Sequence, residues 1–383
     1  LIVILRCIPC EECVKLDEDL MEQDPHLKPL LDKYVRVRIV GTNGLDLSLF
    51  QYDYDQSFAV FLMNADKTIY GRFGTRSHHT LWSEDVSIEG LAKAMEVALE
   101  LHEEYPANRK LFADKKGPKP RYSSPEKFPS LKDKYSSELD YKGQVVKSCI
   151  HCHQIGDAQR ASYRSAGRPM PEKVLFQYPH PKILGLILDP TETAVVKEVT
   201  PGSAAEQAGF QPEDRIVTLE GQPMLSIADV QWVLHHADAK KSLTAQVRRD
   251  GEQQQISLPL AKGWRQADDL SWRVTSWPLR RMTTGGLKLE AATVEERAKL
   301  NITDPEQMAV RVQHVGQYGP HAAAKRAGFR KGDVLVRYGN RTDLQRETDL
   351  LVYGANQFKP GQQIPVTVLR NGRQMQLKLP MQQ

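Results

Sequence analysis

An internal repeat constrains this chain most. The run Val196-Lys-Glu-Val199 through Ala205-Glu-Gln-Ala208-Gly209-Phe210 to Asp214-Arg-Ile216-Val217 recurs downstream. Its second copy is Val312-Gln-His-Val315 through Ala324-Lys-Arg-Ala327-Gly328-Phe329 to Asp333-Val-Leu335-Val336. Gly209 to Gly328 and Asp214 to Asp333 share one offset, 119 residues. Each copy then carries a hairpin signal: Asp250-Gly251 before Ile256-Ser-Leu258, and Asn371-Gly372 before Met375-Gln-Leu377. Asp-Gly and Asn-Gly supply the paired positive φ angles of a type I′ turn between two strands. Two homologous β-rich domains are therefore expected, over 172–265 and 266–383.

The remaining sequence divides by texture. Residues 1–105 alternate strand-like runs (Leu1–Leu5, Val35–Val40, Ala59–Met63) with helical patterns over Glu11–Leu31 and Ile88–Tyr105, which predicts a small α/β domain. Residues 106–171 hold a Pro/Lys-rich stretch and a cysteine motif. Between Arg109 and Lys147 there are 11 basic and 5 acidic residues, net +6, read as a solvated linker with a basic docking strip as the alternative. The fold class is thus multidomain α/β plus mainly-β. A net charge of +4 on 383 residues gives no warrant for nucleic-acid binding. The longest apolar run, Leu1–Leu5, is far short of the ~20 residues of a membrane span. Because the chain opens on Leu inside a strand pattern, an initiating Met and a targeting segment are expected upstream, and with them a route to membrane anchoring.

The repeated core, Pro201-Gly-Ser-Ala-Ala, then Ala208-Gly-Phe, then Asp214-Arg-Ile216-Val, resembles PDZ domains of the bacterial type found beside extracytoplasmic proteases. The second copy, Gly319-Pro-His-Ala-Ala, Ala327-Gly-Phe and Asp333-Val-Leu335, resembles them too. The resemblance implies partner peptides held at a sheet edge, with the carboxylate loop at Leu184-Gly185-Leu186 in the first copy and Gly286-Leu287 in the second. Grooves filled by the protein itself are the competing expectation. No Gly-x-Ser-x-Gly and no His-Glu-x-x-His occurs, which argues against proteolysis by this chain.

A strand running into Cys7-Ile-Pro-Cys10-Glu-Glu-Cys13 is similar to the thioredoxin arrangement, in which a helix N-terminus stabilises the first thiolate. The tail Val14-Lys-Leu16-Asp-Glu-Asp19-Leu20-Met21 resembles thiol-reductase-like thioredoxins. Cys10 belongs to both Cys-x-x-Cys pairs and is the expected redox residue, with Cys13 and Cys7 as its partners. Thioredoxins place a cis-Pro before the strand that follows; here the positions read Gln56-Ser57-Phe58. The whole combination resembles bacterial thioredoxin-and-PDZ proteins, some of them selenoproteins.

Cys149-Ile-His151-Cys152-His153 fits covalent haem c attachment, with two thiols for the vinyl groups and His153 as iron ligand. By composition such a match is expected about 0.002 times in this chain. The flank Tyr141-Lys-Gly143 to Ser148 resembles the opening helix of c-type cytochromes, and Gly167-Arg-Pro-Met170-Pro171 the loop that supplies a Met ligand. Zinc bound through Cys149, Cys152 and a histidine is the alternative, as is a plain dithiol. Haem c assembly, oxidising conditions and protease-type PDZ pairs all belong outside the cytoplasm, so a periplasmic or otherwise extracytoplasmic place is expected. The functional expectation is a thiol–disulfide oxidoreductase whose PDZ domains bind protein or peptide partners; the rival is a non-catalytic adaptor.

Overall fold

A computed structural model of the chain describes residues 1–8, 24–25, 27–56, 58–75, 86–237 and 240–383. Cys10 and Cys13, most of the Glu11–Leu31 helix pattern, and Ser57 lie outside the described residues. The chain forms two compact units. The first comprises 1–158 and 176–268, the second 159–175 and 269–383.

In the first unit, four strands form a mixed sheet in the order β2-β1-β3-β4. These are β1 (Ile2–Arg6), β2 (Arg36–Val40), β3 (Phe58–Met63) and β4 (Ile69–Thr75), with the single-turn helix α1 (Lys28–Leu31) before β2. β1 runs parallel to β2 and antiparallel to β3, and β3 pairs antiparallel with β4. All six residues of β3 are buried, as continuous Phe-Ala-Val-Phe-Leu-Met character demands of a strand covered on both faces. Helix α2 (Ile88–Glu103) starts where the Ser87 hydroxyl accepts from the Gly90 N–H, and it buries Leu91, Ala94, Met95 and Ala98 at i, i+3, i+4 spacing.

The basic stretch after α2 is not a free linker. Phe112, Phe128 and Leu131 are buried, and Lys115 is fully enclosed. Phe128 and Leu131 tie it to the core of Val3, Leu5 and Tyr52 on one face of the sheet, and Phe112 joins the core of Val60, Tyr70 and Met95. The cytochrome-like opening helix is one turn, α3 (Val145–Ser148); the true helix, α4 (Cys152–Ser165), begins at the second cysteine of the motif.

The first β-rich domain completes this unit. It holds β5 (Leu186–Leu188), β6 (Val196–Val199), α5 (Ala204–Ala208), β7 (Arg215–Leu219), β8 (Gln222–Pro223), α6 (Ile227–His235), β9 (Ser242–Arg249) and β10 (Glu252–Pro259). β5 pairs with β6, and the other strands order as β10-β9-β7-β8. Eight of the nine α6 residues are buried, because β4 of the mixed sheet covers the face that the β-rich core leaves free.

The second unit repeats the plan with α7 (Ser276–Thr284), β11 (Leu287–Ala291), α8 (Val294–Lys299), β12 (Val310–Val315), α9 (Ala323–Arg326), β13 (Val334–Tyr338), α10 (Glu347–Gln357), β14 (Gln363–Arg370) and β15 (Arg373–Pro380). Its five strands order β11-β12-β13-β14-β15. Asp250 and Gly251 (φ 51° and 85°) and Asn371 and Gly372 (φ 50° and 76°) make the two expected hairpin turns.

The repeated Asp and Gly have one physical cause in both copies. Arg249 forks onto Asp214 (2.6 and 2.7 Å) and donates to Gly209 O; Arg370 forks onto Asp333 (2.7 and 2.8 Å) and donates to Gly328 O. Gly209 and Gly328 sit at φ 88° and 91°, so each clamp joins a helix cap to the hairpin.

Candidate functional site

Cys7 leaves the C-terminal end of β1, next to the C-terminal end of the parallel strand β2. The loop after β2 grips the second cysteine motif. Thr42 Oγ1 donates to Ile150 O (2.8 Å), Asn43 Oδ1 accepts from the Ile150 N–H (2.8 Å), and Asn43 Nδ2 donates to Ser148 O (2.9 Å). Gly41 (φ 83°) has no room for a side chain, since a Cβ there would lie 2.9 Å from Cys149 Sγ. Ile150, fully buried beside Val3, Leu5, Cys7 and Tyr52, anchors the motif from its centre.

The result is a cluster of three buried thiols. Cys7 Sγ and Cys152 Sγ are 3.9 Å apart across 145 residues of sequence. Tyr52 donates its hydroxyl to Cys152 Sγ at 3.1 Å, and Cys149 Sγ contacts Ile150 O at 3.6 Å. The neighbouring Cys152 thiol and burial push the Cys7 thiol well above its ordinary range, with the His151 side chain acting in the other direction. Burial, together with Cys7, raises the Cys149 thiol to about 11. Burial also holds Tyr52 protonated, so it remains a donor. Cys152 opens a 14-residue helix.

These shifts make a measurable prediction. At pH 8 the thiolate fraction of Cys149 falls about 100-fold below that of an ordinary thiol. Its iodoacetamide labelling, read by mass spectrometry in the native protein, rises steeply only as pH approaches 11. Because the folded state holds this proton to a higher pH than the unfolded chain does, the contribution to stability is complete below about pH 9. It is lost as pH climbs towards about 11. Labelling of Cys149 at pH 8 as fast as in urea would contradict the burial.

The haem reading can be tested on the donors themselves. Covalent haem needs both sulfurs at the edge of a cleft that admits the macrocycle, with the histidine facing the iron. Here Cys149 and Cys152 are 1% and 4% exposed and face Gly41, Cys7 and Tyr52 instead. His153 is half-buried and lies 3.9 Å from Asp157, one turn along α4. Met170 belongs to the second unit, where its N–H donates to Asn356 Oδ1 (2.8 Å). As packed, these residues do not fit haem c. Among the described residues no group of three or more His, Cys, Asp or Glu side chains could hold a metal ion.

The two groove loops are also placed differently from a ready peptide site. Leu184 and Leu186 are buried, and Gly185 (φ 87°) gives its N–H to Lys182 O. Along α6, Tyr178 stacks on His235 (ring centroids 4.1 Å), and Gln231 Nε2 donates to Tyr178 O (3.0 Å). The chain's own upstream segment thus lines that helix. In the second unit, Leu287 is fully buried and the Gly286 N–H is taken by Arg280 O (2.9 Å). Glu347 at the start of α10 accepts from the Leu289 N–H (2.7 Å) and pairs with buried Arg280. Of the expected loop residues, Gly185 and Gly286 sit in the turns before β5 and β11 with their amides used internally, whereas Leu186 and Leu287 are the first residues of those strands.

Sequence reasoning missed Tyr52, Thr42, Asn43, Tyr178, Arg280 and Glu347. None of them carries a local sequence signal, because each acts through a partner distant in the chain.

Comparison with known proteins agrees with this architecture. A thioredoxin-like family matches residues 1–65 and the PDZ domain family residues 181–260. The N-terminal domain is thioredoxin-like and the first β-rich domain is a PDZ domain. The chain is 27% identical over 143 residues to a probable periplasmic serine protease do/HhoA-like of Haemophilus influenzae, covering 37% of this chain and 26% of that one. It is 25% identical over 190 residues to a probable periplasmic serine endoprotease DegP-like of Marinomonas sp., covering 49% and 37%. It therefore spans about a quarter to a third of these relatives. Among solved structures, the HtrA3 PDZ domain bound to a phage-derived ligand is 27% identical, with a TM-score of 0.16, over 18% of this chain and 64% of that one.

Proposed function

We propose that this chain is an extracytoplasmic thiol–disulfide redox protein, with PDZ-type domains that hold its protein partner. The observation that carries the reading is the placement of Cys7. It leaves the C-terminal end of β1 in a β2-β1-β3-β4 sheet of thioredoxin topology and leads directly into the sequence that bears Cys10 and Cys13. Thioredoxin chemistry needs a thiol pair at that strand end, where one sulfur attacks a client disulfide and the second resolves the mixed disulfide. Cys10 and Cys13 are assigned to these roles. A PDZ domain implies peptide binding, and the second β-rich domain is read as a PDZ copy from its matched repeat. The periplasmic description of the curated relatives supports the location.

Insulin-disulfide reduction is the test. The wild-type chain is expected to precipitate reduced insulin in the presence of dithiothreitol. Cys10→Ser is expected to fall to the uncatalysed rate, a loss of at least tenfold. Equal rates with and without wild-type protein would defeat the redox reading.

The adaptor reading has a specific observation in its favour. Gln56 and Phe58 flank a position where thioredoxins have proline, which marks lost catalysis on that reading. Thiols at positions 10 and 13 that resist alkylation in the native chain would favour it.

A further inference from the structure

We propose that Cys7 and Cys152 form a redox-active disulfide, so that the Cys-Ile-His-Cys-His segment serves the thioredoxin-like domain as a thiol partner. This inference deepens the redox reading above but stands on separate residues. The two sulfurs already touch at 3.9 Å, and a disulfide needs them at about 2.05 Å. The approach is held by more than chance packing. Thr42 and Asn43 fix the backbone on both sides of Ile150, and Ile150 itself is sealed in the core that contains Cys7. Cys152 starts α4, and the Tyr52 hydroxyl points at its sulfur from 3.1 Å, two features that stabilise charge developing there. Cys7 lacks both features. Cys152 is therefore the attacking thiol and Cys7 the resolving one.

Burial points the same way. An enclosed thiolate is costly, whereas a disulfide carries no charge and leaves no unpaired polar group. Cys149 Sγ lies against Gly41 and turns to Ile150 O (3.6 Å). It is the spectator of the three.

The exchange requires a small-molecule disulfide, oxidised glutathione, as the oxidant; protein clients remain with Cys10 and Cys13. Cys152 loses its proton and attacks one glutathione sulfur. The glutathione S–S bond breaks, a mixed disulfide forms on Cys152, and the first glutathione leaves as a thiolate that takes up a proton. Cys7 then gives up its proton and attacks Cys152 Sγ. The Cys7–Cys152 bond forms, the second glutathione leaves and is protonated, and two electrons have passed from the two cysteines to glutathione.

Peptide mapping of the full chain tests this. The reduced protein is equilibrated with oxidised glutathione, acid-quenched, blocked with N-ethylmaleimide and digested with trypsin. The peptide beginning at Cys7 is expected to be joined to the peptide 148–160, with fragmentation placing the bond on Cys152. The cross-link should persist in Cys149→Ser and vanish in Cys152→Ser. If Cys152→Ser fails to fold, fragmentation of the wild-type cross-link still assigns the bond. In the Cys10→Ser/Cys13→Ser double variant the cross-link should remain while insulin reduction is lost, so the two readings fail separately. A Cys149–Cys152 bond with Cys7 fully alkylated would overturn the proposal. So would a haem mass on peptide 148–160 after expression with a haem c maturation system.

Discussion

Asp229→Ala is expected to cost the first unit about 3–5 kcal/mol of stability, the range for breaking a buried ion pair from one side. Asp229 sits at the first turn of α6 with a fully enclosed side chain. Lys115, as deeply buried, places its Nζ 2.8 Å from Asp229 Oδ1 and also donates to Pro223 O. The carboxylate further accepts from the Arg72 N–H and the Leu225 N–H, both at 3.2 Å. Truncation strands an ammonium and two backbone donors in a fully buried site. Trp232, one turn along α6, has the Arg72 guanidinium 3.6 Å from its ring centroid, so its fluorescence in a urea titration reports the loss. Burial holds the Lys115 pKa below its ordinary value. A folded state that sheds this proton before the unfolded chain does gains stability as pH rises, and without the Asp229 charge Lys115 sheds it earlier still. The deficit of Asp229→Ala should therefore shrink as pH rises towards the ordinary lysine range. The apolar double replacement Lys115→Met/Asp229→Leu should recover most of it. A loss below about 1 kcal/mol in Asp229→Ala would show that the pair is hydrated.

The second large effect belongs to the other unit. Glu347→Ala is expected to destabilise it by about 3–5 kcal/mol, because Arg280 would remain enclosed without its counter-charge. Glu347 Oε1 accepts from Arg280 Nε at 2.9 Å and from the Leu289 N–H at 2.7 Å, while Oε2 accepts from the guanidinium at 2.5 Å. Glu347→Gln keeps an acceptor for Leu289 and loses the charge, so it should fall between wild type and alanine. Arg280 lies over the Trp277 ring, 4.8 Å from its centroid, which gives the unfolding curve an optical reporter. If glutamine and alanine cost the same, the charge carries the effect and the strand contact does not.

Both predictions rest on side chains that no local pattern exposes. Asp229 reads in sequence as an ordinary acidic residue in a helix first turn, which favours it there through the helix dipole alone. Its partner lies 114 positions upstream in a stretch that reads as solvated linker. Composition identifies Pro and Lys; it does not reveal that Phe112, Phe128 and Leu131 pin that stretch into a core. Similarly, Cys149-Ile-His-Cys-His is legible as a motif, but the direction in which its thiols point is not. The haem expectation follows from spacing; the packing against Gly41, Cys7 and Tyr52 follows from the loop that holds Ile150.

What the sequence determined by itself was local or repeated. Asp250-Gly251 and Asn371-Gly372 set their hairpins because few other pairs tolerate two successive positive φ angles. Asp214 and Asp333 reappear because each copy needs the same carboxylate under the same arginine. The β1 strand and the cysteine that follows it come from an apolar run ending at a fixed place. Tertiary structure decided everything that joins distant segments: the Cys7–Cys152 contact across 145 residues, the enclosure of Lys115, and the closing of the β11 edge by Glu347. The physical reason is that turn and strand preferences act over a few bonds, whereas burial, charge pairing and thiol reactivity depend on which surfaces exclude water together.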